Sequence, residues 1–326
     1  MAFARVIAAA YRRRGMNPDG ALRRAQITPQ ALALPEARLT SLQMEQLSEA
    51  AMRELDDEGL GAFSRPLPWG SYGMLARASL TAPDLGIAVK RWCRHHGLIA
   101  PDIALALEVE GSRATLAIEE GPGIARHGEA AREFCLVHVL RNIHGLACWY
   151  IDSRIPLQGS GFPFAAPAHA DAYAHMFPGP RSFGAARATV EFDARYLGLP
   201  LRRDERAMRQ MLQRALPLTV LQYRHDRLLL QQVRQALAAG AQDADAVATR
   251  LNISVRTLHR QLADAGAGLQ ALKDEVRSER ARELLLRTPR PIKQVAQASG
   301  FASEKSFMRA FRQWTGMTPA EFRQRG

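Results

Sequence analysis

Cysteine is scarce in this 326-residue sequence: only Cys93, Cys135 and Cys148 occur, with no C-x-x-C pair among them. An odd, scattered set excludes a disulfide framework and a zinc knuckle. Each lies in an apolar stretch and is read as a small buried residue. Long apolar runs are also missing, and none reaches the roughly 18 residues that mark a bilayer-spanning helix. The segment Met1–Gly15 is apolar first and basic second, the reverse of a secretory signal. The expectation is a cytoplasmic protein with no membrane contact. No glycine-rich phosphate loop, nucleophile elbow or H-E-x-x-H occurs, so an enzyme is the weaker class. Lysine is rare too: four of the 44 basic residues are Lys. Arg is the better fork for phosphates and guanine edges. It dominates everywhere in the chain, however, so base-composition bias is the preferred reading.

What is present is an ordinary globular composition, 47% hydrophobic and 23% charged. This excludes a largely disordered or collagen-like chain. The length predicts two domains. A net charge of +12 and a pI of about 10.4 point to a polyanionic partner. The charge is uneven. Residues 221–326 hold 18 Lys+Arg against 10 Asp+Glu, whereas residues 1–220 hold 26 against 22.

The first 200 residues predict an α+β domain. Short helices fill residues 1–60, broken at Asn17-Pro18-Asp19-Gly20, Thr28-Pro29 and Leu34-Pro35. Arg65–Gly70 is a turn-rich joint. A helix capped near Thr81 or Ala82 carries Leu85, Val89, Trp92 and Cys93 and ends at Gly97. Alternation over Ile103–Glu110 and Arg113–Glu119 predicts a hairpin turning at Gly111-Ser112. Glu129–Ile143 is an apolar-striped helix, residues 148–158 are β-like, 166–178 are helical and Ala188–Asp193 is a strand. With no regular βαβ period, α+β fits better than a doubly wound sheet. A helix at 204–215 stops at Pro217. The expected boundaries are a first domain at 1–200, a linker at 201–225 and an all-α domain at 226–326.

That last domain contains a repeat. Val247-Ala248-x-x-Leu251-Asn252-Ile253-Ser254-x-x-Thr257-Leu258-x-Arg260-x-Leu262 returns as Val295-Ala296-x-x-Ser299-Gly300-Phe301-Ala302-Ser303-x-x-Ser306-Phe307-x-Arg309-x-Phe311. Each copy reads as a helix-turn-helix. Ala248 or Ala296 allows a close crossing. Asn252 or Gly300 takes the positive φ of the turn. Ser254 or Ser303 caps the second helix. Leu258 and Leu262, or Phe307 and Phe311, form its buried stripe. The exposed face is Val255, Arg256, His259 and Arg260 in the first copy, and Glu304, Lys305, Met308, Arg309 and Arg312 in the second. Between them, Leu269–Arg287 predicts one helix of about 27 Å. Such a spacer suits two reading helices set about one DNA turn, ~34 Å, apart.

Residues 227–324 resemble the DNA-binding domain of AraC/XylS-family transcription regulators. The resemblance rests on Ser254-Val-Arg-Thr-Leu-His-Arg, Glu279-Arg-Ala-Arg-Glu-Leu-Leu, Ala298–Phe311 and Trp314-Thr-Gly-Met-Thr-Pro-Ala-Glu-Phe-Arg. More faintly, the first 200 residues are similar to the arabinose-binding type of effector domain, as in ornithine-utilisation-like regulators. Arg91-Trp-Cys-Arg-His-His-Gly-Leu and Phe162–Tyr173 carry that likeness. The resemblance implies promoter DNA, a small-molecule effector, RNA polymerase and a second copy of the chain as partners, activation as the output, and no cofactor. It assigns base contact to Arg256 and Arg260, and to Glu304, Lys305 and Arg309. Glu304 departs from a basic reading face, because a carboxylate repels phosphate and has to meet a cytosine amino group or the opposite turn. For Arg260 and Arg309, bracing or phosphate contact is the plainer role.

Trp69, Phe134, His138, Trp149 and Tyr150 are the candidates for lining a ligand cavity. The plainer alternative is aromatic core, with His138 a satisfied core histidine. The run Arg91–His96 is a solvated helix end, since its His and Cys point to different faces and lack a carboxylate at ligand spacing. No metal site is expected. Asp56-Asp57-Glu58 and Glu119-Glu120 read as turn and helix-end charges. Two rivals stay open: a regulator whose first domain only dimerises or binds a protein, and an enzyme domain fused to the DNA-binding unit. Three scattered cysteines disfavour the second.

Overall fold

Thr28 and Thr40 start two of the first helices by accepting hydrogen bonds from Ala31 N–H and Gln43 N–H. The computed structural model describes residues 1–34, 36–216 and 227–325. They fall into two compact units, Met1–Tyr223 and Arg224–Gly326. The first unit begins with α1 (Ala2–Arg13), α2 (Asp19–Arg24), α3 (Pro29–Ala33) and α4 (Ser41–Glu54). Ile7, Tyr11 and Leu47 lie fully buried among them. Next come α5 (Ser71–Leu80) and α6 (Leu85–Ile99), the hairpin β1 (Ile103–Glu110) and β2 (Arg113–Glu120), and α7 (Glu129–Ile151). Then follow β3 (Leu157–Phe162), α8 (Tyr173–Met176), β4 (Arg181–Phe183), β5 (Ala188–Asp193) and α9 (Glu205–Gln213).

The five strands lie in the order β1-β2-β5-β3-β4. All neighbours pair antiparallel except β3 and β4. The hairpin register runs from Ile103 opposite Glu120 to Glu110 opposite Arg113. Gly111 makes its tight turn at φ 59°. Helix α6 packs on β1, and α7 packs on β5 and α1.

Four expectations need correction. Helix α6 is capped by Asp84, whose carboxylate accepts Ile87 N–H at 2.8 Å, and not at Thr81 or Ala82. Nor does Gly97 end it. One helical glycine costs only about 1 kcal/mol, whereas Pro101 forces the residue before it out of the helical region. Helix α7 reaches Ile151, so Cys148–Ile151 is helical and not β-like. Its apolar residues surround the axis, which is the pattern of a helix buried on all sides. It closes at Asp152 in the left-handed region, with Ser153 N–H on Cys148 O at 2.9 Å. Strand β4 was not expected. Finally, residues 201–216, expected as linker, belong to the first unit. Helix α9 buries Met208 and Met211, and Arg77 holds Glu205 at 3.0 Å. The remainder of the expected linker, 217–225, with the expected helix stop at Pro217, lies outside the described residues.

The second unit is helical wherever it forms regular structure among the described residues. It contains α10 (Arg227–Ala238), α11 (Ala244–Leu251), α12 (Val255–Asp264), α13 (Leu269–Arg287), α14 (Ile292–Ala298), α15 (Glu304–Thr315) and α16 (Pro319–Arg325). It has two hydrophobic cores. Val233, Val247, Leu258, Leu262 and Leu272 build the first. Ala281, Leu284, Leu285, Val295, Phe307 and Phe311 build the second. Helix α13 gives its N-terminal half to one core and its C-terminal half to the other. The three cysteines are free and buried. Among the described residues, no helix is long and apolar enough to cross a membrane.

Candidate nucleic-acid interface and effector-domain cavity

The two helix-turn-helix copies are built alike, bond for bond. Asn252 and Gly300 sit at φ 55° and 82°. Ile253 N–H reaches back to Ala248 O, and Phe301 N–H to Ala296 O, each at 3.0 Å. Ser254 Oγ accepts Thr257 N–H at 3.1 Å, and Ser303 Oγ accepts Ser306 N–H at 3.2 Å. Both serines are thus engaged as helix caps. Leu258 and Leu262 lie buried under α12, and Phe307 and Phe311 under α15. At Gly300 an added Cβ would meet Arg277 at 3.3 Å, and the left-handed backbone disfavours any L side chain. Gly300→Ala is expected to cost about 1–2 kcal/mol, measured as a lowered urea midpoint of the second unit. An unchanged midpoint would show that the turn relaxes.

The buried stripes leave the opposite faces outward. Arg256, His259 and Arg260 are exposed on α12, and Glu304, Lys305, Met308, Arg309 and Arg312 on α15. None of their side chains makes an ion pair or hydrogen bond among the described residues. Several other basic residues of the unit are engaged, while Arg282 and Lys293 are exposed like those of α12 and α15. Arg234 pairs with Glu275 at 2.7 Å, Arg280 with Glu283 at 3.2 Å, and Arg323 donates to Arg290 O at 2.6 Å. The positive charge left uncommitted on α12 and α15 therefore faces solvent. Val255 departs from the expected face: it is half-buried against the first core. One supporting residue escaped sequence reading. Arg277 of α13 donates to Gly300 O at 2.7 Å and lies 4.9 Å over the Phe301 ring. It ties the second turn to the spacer helix. Nothing local in the sequence marks it, because its partners are 23 and 24 residues away.

The first unit holds a cavity of about 260 Å³ between α4, α5, α7 and α9. A smaller one of about 60 Å³ adjoins it, and Glu58, Tyr72, His138 and Asn142 line both. Of the five predicted ligand residues, Trp69 lines the larger cavity, Phe134 the smaller, and His138 both. Phe134, His138 and Asn142 follow at i, i+4 and i+8 on one stripe of α7. Trp149 and Tyr150 line neither. They come 11 and 12 residues after His138, about 17 Å further along the helix axis. Trp149 lies under the Arg203 guanidinium, and Tyr150 donates to Ala76 O at 2.7 Å.

His138 is not the satisfied core histidine expected. Its Nε2 has no hydrogen-bond partner in the structure. Burial holds its pKa down at about 4, so the ring is neutral at physiological pH. His96, on α6 in the wall of the smaller cavity, shares both properties. The acidic run acts as the sequence suggested, by organising turns. Asp57 accepts N–H groups from Gly59, Gly61 and Leu67 and pairs with Arg14 at 2.6 Å. Glu58 accepts Gly70 N–H and Tyr72 N–H. Two residues at the mouth had no sequence signal at all: Glu45 of α4 and Arg214 after α9 meet at 2.5 Å across 169 positions.

Two turn-capped helix pairs on one spacer define a DNA-binding module, and the α+β unit before it has a cavity of its own. The comparisons with known proteins agree. Residues 15–201 match the arabinose-binding N-terminal domain of AraC transcription regulators, and residues 247–325 match a helix-turn-helix domain. The chain belongs to the AraC family of transcription regulators and is a DNA-binding regulator. It is 27% identical over 314 residues to the ornithine utilization regulator of Pseudomonas aeruginosa, spanning 95% of this chain and 91% of the relative. It is 26% identical over 327 residues to the regulator VirS of Mycobacterium tuberculosis, covering 96% and 92%. Among solved structures, the transcriptional regulator CdpR of Pseudomonas aeruginosa aligns with 94% of this chain and 96% of its own, at 22% identity and a TM-score of 0.38.

Proposed function

We propose that this regulator reads promoter DNA with α12 and α15 in successive major grooves, and that a small molecule in the first unit sets its occupancy. Arg256, His259, Arg260, Lys305 and Arg309 are the proposed DNA contacts, with Glu304 and Met308 beside them. Ser254 and Ser303 act through their caps, which aim each helix N-terminus, and Val255 acts through the core. The observation that carries this reading is the uncommitted charge on both second helices. An arginine that is neither paired nor buried is free to take a guanine edge. Residues 1–216 form the proposed sensing part. The wall of the larger cavity includes Leu212 of α9 and residues 213–216, the stretch that precedes the second unit in the chain. A ligand that shifts this wall acts on the route to the DNA-binding module. A second copy of the chain and RNA polymerase complete the proposed assembly in the cytoplasm, with activation as its output.

The test is selection of genomic fragments by the purified protein at about 0.15 M salt, followed by footprinting. Two adjacent protected boxes upstream of one operon are expected. Arg256→Ala should weaken binding by about 1–3 kcal/mol and relax specificity at one base pair. Equal weakening on all sequences, with a shallower salt slope, would assign Arg256 to a phosphate and overturn base reading.

A further inference from the structure

The walls of the first unit's cavity do not balance their own charge. Glu45 is held at two points by Arg214, 2.5 and 2.8 Å, and Glu49 by Arg53 at 3.0 Å. Arg77 is turned to Glu205 at 3.0 Å. Glu58 has no cationic partner among the described residues. Its two oxygens take Gly70 N–H at 2.7 Å and Tyr72 N–H at 2.6 Å, and each keeps a further acceptor position. Burial raises its pKa from the ordinary glutamate value, against the pull of those two N–H bonds and with Asp57 and Asp56 adding to the rise. The mouth therefore lacks one positive charge, and both arginines that line it are already committed to carboxylates.

A second, independent observation lies at the inner end. His96 is 5% exposed, and its Nδ1 has no hydrogen-bond partner. His138 Nε2 has none either. A buried polar atom left unpaired costs about 1–3 kcal/mol, and such atoms in native proteins call for a partner. Both line the inner cavity, whose other walls include Phe63, Trp92 and Phe134. Trp69 at the mouth already carries the Arg53 guanidinium 4.7 Å over its ring, so its environment tolerates cations.

We propose that the cavity binds a small organic ammonium, with its charged nitrogen on Glu58 and a hydrogen-bonding group at the far end on His96 and His138. This rests on the reading of the first unit as an effector sensor. A carboxylate or phosphate ligand finds no free cation here, and a purely apolar one leaves the Glu58 charge without a counter-ion and both imidazoles unpaired.

The test uses the full chain and three four-carbon probes of one shape: 4-aminobutan-1-ol, butane-1,4-diol and 4-hydroxybutanoate. Calorimetry should show saturable binding of the amino alcohol, at least tenfold tighter than either of the others. Glu58→Gln should weaken it at least tenfold. If that variant lowers the melting point of the free protein, Asn142→Leu, which narrows the cavity without touching Glu58, serves instead. Unchanged affinity in that variant overturns the site. Tighter binding of the diol or the hydroxy acid, or no binding of the amino alcohol, overturns the ammonium class. A mixed library of acidic, neutral and basic metabolites separates the two readings: a hit of another charge leaves the sensor reading standing, and no hit at all removes both.

Discussion

Lowering the pH from 6.5 towards 4 should strip the first unit of much of its stability. His96, His138 and His144 all have folded-state pKa values of about 4, against 6.5 in the open chain, chiefly through burial. For His144 the Arg141 charge adds to the effect. Between those two pH values the unfolded chain binds protons that the folded unit refuses. The derivative of stability with pH is then positive. Stability is therefore fully present above pH 6.5 and is lost as pH falls through the folded-state values. Each unit of pKa difference is worth about 1.4 kcal/mol per group. Three such groups give a loss on the order of several kcal/mol, comparable with the whole stability of a typical domain. Glu58 works the other way, since its raised pKa favours the folded state in acid, but it is one group against three. Urea midpoints at pH 7.5, 6, 5 and 4.5 check this, and His138→Gln should flatten the dependence. A midpoint constant over that range would show that the imidazoles find protons or water without unfolding.

The second large effect belongs to Phe307. It is fully buried, with Phe301 at 5.5 Å and Phe311 at 5.6 Å. Phe→Ala at such a site costs about 3–5 kcal/mol. The second core is small, and Phe307 supplies the underside of α15, so Phe307→Ala should melt it. Val233, Val247, Leu258 and Leu262 of the first core make no use of Phe307. The expected result is a footprint reduced to a single box. Leu258→Ala should remove the other box, at about 2–5 kcal/mol. Loss of both boxes from either variant would mean that α13 couples the cores into one cooperative unit.

The second unit was largely legible in its sequence, because its turns, caps and buried stripes are marked locally; Arg277, whose partners are distant, is the exception. Asn252 and Ser254 act on residues within four positions, Leu258 and Leu262 announce their buried stripe by i, i+4 spacing, and the repeat states the rule twice. Val255 was misread because the residue after a cap can turn either inward or outward. In the first unit the determinants are distant. The apolar stretch ending Cys148-Trp149-Tyr150-Ile151 suits a strand or a buried helix alike, and only the packing around α7 decides. Strand β4 is three residues long and exists because β3 lies beside it. Of the cavity, Trp69, Phe134 and His138 were found through residue type. Glu45, Glu58, His96 and Arg214 were not, since a carboxylate without a cation or an imidazole without a partner is a property of three-dimensional surroundings.

The burial of α7 also bears on how the protein is made. Sixteen of its 23 residues are buried, under α1 and α6 from the chain before it and under β5 from the chain after it. Strand β5, which α7 packs against, is complete only at Asp193. At a synthesis rate of about 5–20 residues per second, the ribosome needs several seconds to bridge that gap. During that interval the face of α7 that meets β5 has no cover from the sheet. The first unit thus completes the cover of its central helix before the first helix-turn-helix, which begins at Ala244, has been translated.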